Sequence, residues 1–352
     1  MSDNGSNVVP DKNKCVIAVD AMGGDKAPAA PVAGAVAALK DFGAIHIVII
    51  GKKEDIEREL SRHTYDKARI SIINASDIIS NEDAPATAIK SKPDSSLVVG
   101  LRLVKAGEAQ AFVSAGNTGA LLAGATLIVG RIKGIERPAL ATIIPSANKP
   151  FMLLDSGANV DCKPSYLFQF AKMGSIYMEA VRGVPSPRVG LLNIGEEREK
   201  GNALTKEAHE LLEAEAAKGL GINFVGNVEA RSLPEGAVDV VVCDGFAGNV
   251  VLKLTEGLSS ALLGMVKKEL LSTTLSKMGA LLSKGAFARL RMRFNSDDIG
   301  GAPFLGLRAL VVKAHGSSND RAIAAAIRQC VSFIENDIVA KIEHRVTEHS
   351  KL

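Results

Sequence analysis

A chain of 352 residues can bury a large core, in one α/β unit or in two closely joined ones. Its 47% hydrophobic and 23% charged residues exclude a disordered chain, and 4% aromatics with no Trp leave no base-stacking platform, so nucleic acid is not an expected partner. A formal net charge of +3 implies no polyanion by itself, and the scattered Cys15, Cys162, Cys243 and Cys330 form no CxxC pair, which fits a reducing compartment and argues against zinc or iron–sulfur.

Residues 1–14, MSDNGSNVVPDKNK, are polar, lack the apolar core of a signal peptide, and are expected to form a disordered tail. From there, aliphatic runs predict strands at CVIAVD (15–20), IHIVIIG (45–51), RISIIN (69–74), AFVSAG (111–116), ALATIIP (139–145) and FMLLDSG (151–157). Further runs are RVGLLNIG (188–195), INFVGN (222–227), VDVVVCDG (238–245) and ALVVKAHG (309–316). Most are continuously apolar rather than alternating, as in strands covered on both faces. Helical patterns at 29–41, 52–62, 117–129, 164–181 and 203–218 lie between them. This rhythm predicts an α/β fold, a three-layer α/β/α sandwich with a mostly parallel sheet. A single domain is expected over 15–345, with a protruding helical excursion at about 250–296 and a C-terminal tail at 346–352. No stretch approaches the roughly 20 apolar residues of a membrane span, so a cytoplasmic protein is expected, with peripheral attachment to the inner face of the cell membrane left open.

Six strand exits carry polar clusters. They are DAMGGDKAP (20–28), SAGNTGA (114–120), DSGANVD (155–161), NIGEEREKGN (193–202), DGFAGN (244–249) and HGSSND (315–320). In an open parallel sheet such exits share one edge, and ligands bind in the crevice outside the carboxyl ends of the strands. Glycine allows close backbone approach, and a following helix N-terminus offers free N–H groups to an anion. The candidate phosphate- and substrate-binding residues are Asp20, Gly23, Gly24, Asp25, Ser114, Gly116, Asn117, Thr118 and Gly119 in the first two clusters. Asp155, Asn159, Asn193, Glu196, Asp244, Gly248, His315 and Gly316 complete the set.

The SAGNTGA turn is the best phosphate cradle, because Ser114, Asn117 and Thr118 can bond an anion; they can equally cap a buried helix. It has no GK[ST] ending and no GxGxxG occupies the first βα turn, which disfavours ATP hydrolysis and ordinary NAD binding. Lys200 is the natural ligand for a phosphate or a developing oxyanion, with Asn193 positioning it and Glu196 as a nearby organiser; the alternative is a solvated lysine. Arg198 and Glu199 are assigned to solvent. Asp244 could orient a neighbour, and Asn249 could cap the next helix or donate to substrate. His315 could be an acid, an anion ligand or a satisfied loop histidine. Asp20, Asp25, Asp155, Asp161 and Asp244 show no recognised ligand spacing, so no metal is predicted.

Residues 271–296 carry Lys277, Lys284, Arg289, Arg291 and Arg293 without an acidic residue, beside Leu275, Met278, Leu281, Leu282, Phe287, Leu290 and Phe294. Such a basic amphipathic segment can lie on an anionic membrane, dock an acidic protein, or pack its apolar face on a partner subunit.

In this order, the motifs DAMGGDKAP, SAGNTGA, DSGANVDCKP, NIGEEREKG, VVCDGFAGNVVLK and GGAPFLGL…HGSS resemble the bacterial phosphate acyltransferases of phospholipid synthesis, over about residues 15–335. The resemblance implies a fold similar to isopropylmalate and isocitrate dehydrogenases and phosphate acetyltransferase, and a homodimer. It implies transfer of a fatty acyl group from acyl carrier protein to inorganic phosphate, with no cofactor. The acyl phosphate would pass to a membrane glycerol-3-phosphate acyltransferase. It makes Lys200, in GEExxKG, and Asn249, in DGFxGN, the catalytic candidates. Rival readings are a phosphate acetyl- or butyryltransferase using coenzyme A, a decarboxylating dehydrogenase, disfavoured because this sequence shows no clustered arginines or metal carboxylates for a hydroxyacid, and a non-enzymatic peripheral membrane scaffold.

Overall fold

The computed structural model describes residues 15–219, 221–294 and 300–348. The expected tail at 1–14 lies outside them. The chain divides into two compact units. One holds the described residues of Met1–Pro138 and Ile299–Leu352, the other those of Ala139–Asp298. The strands, in chain order, are β1 Cys15–Asp20, β2 Ile45–Gly51, β3 Ile70–Asn74, β4 Ala111–Ser114, β5 Ala139–Leu140 and β6 Thr142–Ile144. There follow β7 Phe151–Leu154, β8 Arg188–Asn193, β9 Asn223–Glu229, β10 Val240–Val242, β11 Ala302–Leu305 and β12 Leu310–Lys313.

In the first unit the strand order runs β3-β2-β1-β4-β12-β11. All neighbours are parallel except β11, which lies antiparallel on β12 with Ala302 opposite Lys313. The register sets Ile17 beside Ile47 and Ala111, and Val311 beside Phe112. Ile17, Ile47, Ile49 and Phe112 are fully buried, as strands with helices on both faces require. Ser95 caps the helix Ser96–Ala106 by accepting from the Val98 N–H, and Gly107 ends it in the left-handed conformation, φ 74°. This helix buries Leu97, Val98, Leu101 and Val104.

In the second unit the order is β6-β7-β10-β8-β9, parallel except for β6 on β7. Phe151, Leu153, Val238, Val241 and Cys243 form its core with Ile144, Val228 and Leu233. The helix Pro164–Arg182 covers β7 and β10 through residues such as Leu167, Phe170, Ala171 and Gly174. The fold class is therefore α/β with mostly parallel sheets, as the alternating pattern predicts, but the strands fall into two sheets. A helix–strand alternation does not encode which sheet a strand joins.

The excursion is a 26-residue helix, Gly245–Leu270, followed by the helices Thr274–Leu282 and Lys284–Phe294. At the C-terminus the helix Ile338–Glu348 keeps Val346 buried, so the chain stays helical beyond 345.

Candidate active site

The six exit loops sort into two triplets, each on three adjacent parallel strands. In the first unit, β1, β4 and β12 are neighbours, so 20–25, 114–119 and 315–316 leave one sheet edge. Asp20, the last residue of β1, is buried and accepts from the Ser114 hydroxyl at 2.7 Å and the Met22 N–H at 2.9 Å. Burial pushes its carboxyl up, and hydrogen bonds from Ser96, Ser114, Met22 and Gly23 pull it down. Ser114 in turn accepts from the Gly116 N–H at 3.0 Å. A Cβ at Gly23 would lie 2.6 Å from the Gly116 nitrogen and 2.7 Å from Asp20 Oδ2, so only glycine lets these two turns meet. Asp25 donates its N–H to the Gly316 carbonyl at 2.8 Å, which joins the first and third loops beside Gly24.

Asn117 accepts from the Ala120 N–H at 2.9 Å and so caps the helix Thr118–Gly124, whose first turn holds Thr118 and Gly119. Its amide N–H groups reach the carbonyls of Ser80 and Asn81 at 3.4 Å. Asn117 thus takes the capping role. His315 is exposed, and its Nδ1 accepts from the Ser317 N–H at 3.3 Å.

In the second unit, β7, β10 and β8 are neighbours, and 155–159, 244–249 and 193–200 leave one edge. Asp155, just after β7, is fully buried. Its Oδ1 accepts from the N–H groups of Leu140 at 3.0 Å, Gly157 at 3.2 Å and Ala158 at 3.0 Å. Its Oδ2 accepts from the Asn159 N–H at 2.6 Å and side-chain amide at 2.8 Å. Burial pushes this carboxyl up, and the donors oppose that shift. Next door, the Asn159 carbonyl accepts from the Gly245 N–H at 2.7 Å, tying the β7 exit to the β10 exit. A Cβ at Gly248 would penetrate the Asp155 carbonyl oxygen, so the helix that begins at Gly245 can approach only through glycine.

That helix is capped by Asp244, whose Oδ1 accepts from the Ala247 N–H at 2.8 Å. The capping role open to Asn249 is thus corrected: Asn249 lies one turn inside the helix, where it is exposed and faces Gly157. Its side chain is left to donate elsewhere.

The β8 exit is a tight loop. Asn193 donates to the Lys200 carbonyl at 3.0 Å and accepts from the Ile194 N–H at 2.9 Å. Lys200 donates its N–H to the Glu197 carbonyl at 3.1 Å, and Gly201 closes the loop at φ 101°. Among the described residues the Lys200 ammonium makes no hydrogen bond or ion pair, and it is exposed. Arg198 pairs with Glu213 at 3.1 Å, both half-exposed, in keeping with its assignment to solvent. Glu196 makes no polar contact among the described residues; the neighbouring Glu197, through its backbone carbonyl, organises the loop instead.

Sequence reasoning gives no weight to Asn227 and His209, which prove to anchor this loop. Asn227 donates to the Glu197 carbonyl at 2.9 Å, and its Oδ1 lies 2.9 Å from His209 Nδ1. A histidine on the buried face of a helix, beside Ala208 and Leu212, is the signal that could have found them.

Farther along, Lys277, Lys284 and Arg289 are exposed, as are Leu275, Met278, Leu281 and Leu282. The side chains of Arg291 and Arg293 lie outside the described residues. Among the described residues no helix is long and apolar enough to cross a membrane, and no three His, Cys, Asp or Glu residues gather to hold a metal.

Comparison with known proteins adds to this geometry. Residues 15–341 match the family described as "Fatty acid synthesis protein". A phosphate acyltransferase of Clostridium perfringens is 52% identical over 334 residues, covering 95% of this chain and 97% of its own length. A phosphate acyltransferase of Clostridium acetobutylicum is 51% identical over 333 residues, covering 95% and 99%. Among solved structures, a phosphotransacetylase from Streptococcus pyogenes superposes with a TM-score of 0.62 at 19% identity, over 92% of this chain and 95% of that one. A branched-chain phosphotransacylase from Enterococcus faecalis does so at 0.53 and 13%, over 91% and 99%. These two likenesses are of fold.

Proposed function

The chain belongs to the fatty acid synthesis protein family, whose relatives are phosphate acyltransferases, and we propose that it transfers a long-chain fatty acyl group from acyl carrier protein to inorganic phosphate. The product would be an acyl phosphate, for use in phosphatidic acid and phospholipid synthesis. The observation that carries this reading is the edge formed by β7, β10 and β8. Neighbouring strands lie about 4.8 Å apart, so the Lys200 loop and the helix bearing Asn249 leave adjacent positions.

Phosphate dianion is already a competent nucleophile, so no serine, cysteine or histidine nucleophile is required. What it needs is placement beside the thioester carbonyl and stabilisation of the oxyanion that forms there. In this reading Lys200 and the N-terminus of the helix Gly245–Leu270 hold phosphate. On the first unit, Asp20, Gly23, Ser114, Asn117 and Thr118 are a separate set of binding candidates. Asn249 donates its amide N–H to the developing oxyanion. A phosphate oxygen bonds to the carbonyl carbon, the C–S bond breaks, and the carrier thiolate leaves and takes a proton from solvent. Asp155 and Gly248 act through the backbone geometry that brings the β7 and β10 exits together.

Two partners fit the exposed surfaces. Val250, Leu254, Leu258, Leu262 and Met265 recur at helical spacing along Gly245–Leu270 and are exposed, which supports a homodimer. The positive, apolar surface of 274–290 suits acidic carrier protein, its acyl chain, or the anionic membrane where a glycerol-3-phosphate acyltransferase would consume the product.

Lys200→Ala should abolish acyl phosphate formation from palmitoyl carrier protein while the thermal midpoint stays at the wild-type value. Wild-type turnover would refute the role of Lys200, and trapping of a covalently acylated enzyme would refute direct attack. A coenzyme A donor is the second reading, and comparing palmitoyl carrier protein with acetyl-coenzyme A separates the two.

A further inference from the structure

The loop that presents Lys200 rests on a buried polar pair that takes no part in the chemistry described above. Asn227 stands on β9 next to β8, and His209 on the helix Ala203–Ala217. Both side chains are buried, at 8% and 7% exposure. Their hydrogen-bond roles follow without ambiguity. The Glu197 carbonyl can only accept, so the group facing it at 2.9 Å is the Asn227 amide N–H. Asn227 Oδ1 therefore faces His209 and can only accept, which places a proton on His209 Nδ1 at 2.9 Å. The imidazole is fixed further by an edge-on contact with Phe224, centroids 5.1 Å apart at 76°.

The Glu197 carbonyl is shared, since it also accepts from the Lys200 N–H at 3.1 Å. A line of directed hydrogen bonds thus runs from the helix, through β9, to the backbone of Lys200. Otherwise the described residues hold the loop by bonds within it, Asn193 to Lys200 and the Asn193 oxygen to Ile194, and by the half-exposed Arg198–Glu213 ion pair. The Asn227 bond spans thirty residues of sequence and ties the loop to the sheet.

We infer that His209 and Asn227 are positioning residues that set the height of the Lys200 loop above the sheet edge, and so the place of the Lys200 ammonium relative to bound phosphate. The inference rests on the role given to Lys200 under the proposed function. A displacement of the loop by about 1 Å is enough to lower turnover strongly without touching substrate.

Asn227→Asp is the sharpest test, because it keeps shape and the acceptor toward His209 but removes the donor toward Glu197. With palmitoyl carrier protein and phosphate as substrates, kcat should fall on the order of tenfold or more while the KM for the acyl donor stays within about twofold. Amide exchange at 196–201 should quicken on the order of tenfold while amides of β8 and β9 keep their protection. His209→Ala should show the same split, and His209→Asn, which restores a donor near the Nδ1 position, should recover most of the turnover. An unchanged kcat in Asn227→Asp would overturn the inference. So would a fall accompanied by loss of protection throughout β8 and β9, or a failure of His209→Asn to recover what His209→Ala loses. Lys200→Ala separates the two claims: inactive Lys200→Ala with active Asn227→Asp refutes the positioning pair alone. Wild-type turnover in Lys200→Ala removes the catalytic premise and this inference with it.

Discussion

Asp155→Asn changes one atom and should cost the second unit much of its stability. In the wild type the carboxylate meets five donors, three on Oδ1 and two on Oδ2. Whichever way the new amide turns, its NH2 faces at least two N–H donors and accepts from neither. Each buried donor left without an acceptor costs about 1–3 kcal/mol, so the loss is about 2–6 kcal/mol before any relaxation. The neutral amide sheds the desolvation cost that pushes the Asp155 carboxyl up, which offsets part of this. Charge-assisted bonds are roughly twice as strong as neutral ones, and five of them decide the sign. A net loss of about 3 kcal/mol in a unit of this size corresponds to a fall in Tm of about 6–12 °C. The assay is thermal unfolding followed by far-UV circular dichroism, with urea unfolding to obtain the free energy. A variant within about 1 kcal/mol of wild type would show that the Asp155 donors are not what holds the β7 and β10 exits together.

A pH dependence follows from Arg188 and Asp239, which face each other at the start of the β8 and β10 region. Burial pushes the Asp239 carboxyl up, but the Arg188 guanidinium at 3.1 Å and its N–H at 2.9 Å outweigh that and hold it below the ordinary value. The pair therefore stabilises the fold above the unfolded carboxylate pKa of about 3.9 and loses this as pH falls through the lower folded value. Asp239→Asn should be less stable than wild type near neutrality, and the gap should close on acidification; a gap that widens toward low pH contradicts the assignment. Neutralising Lys277, Lys284 and Arg289 to Gln together should raise the carrier-protein KM or release the protein from anionic vesicles, more so at low salt. If neither changes, the exposed basic segment has another role.

The strands that the sequence delimits best are those buried on both faces. CVIAVD and IHIVIIG coincide with β1 and β2 because an uninterrupted aliphatic run admits no other register between two helical layers. β10 is shorter than VDVVVCDG, because Asp244 leaves the strand to cap a helix. β11 is absent from the sequence reading: it is only four residues long and holds Pro303, too short and interrupted to stand out as an apolar run. RISIIN and INFVGN lose or gain a residue or two at their ends, where fraying makes boundaries soft.

At the candidate site, the glycines and the polar side chains that leave the strands are legible, since each cluster follows directly on an apolar run. Gly23 against Gly116 and Gly248 against Asp155 show the close approaches such turns permit. What the sequence does not show is pairing across distance. Asp155 takes a bond from Leu140, fifteen residues upstream, and Asn227 reaches Glu197, thirty residues away. Neither spacing leaves a periodic trace. The sorting of six loops into two edges is hidden for the same reason, because strand order is set by tertiary packing.

The central claim is thioester cleavage by phosphate itself. Incubating the protein with palmitoyl carrier protein and following free carrier thiol and acyl phosphate together tests it most directly. Release of thiol should require phosphate, saturate with it, and match acyl phosphate one for one. Thiol release without phosphate, or none at all from the carrier-bound acyl group, would contradict it.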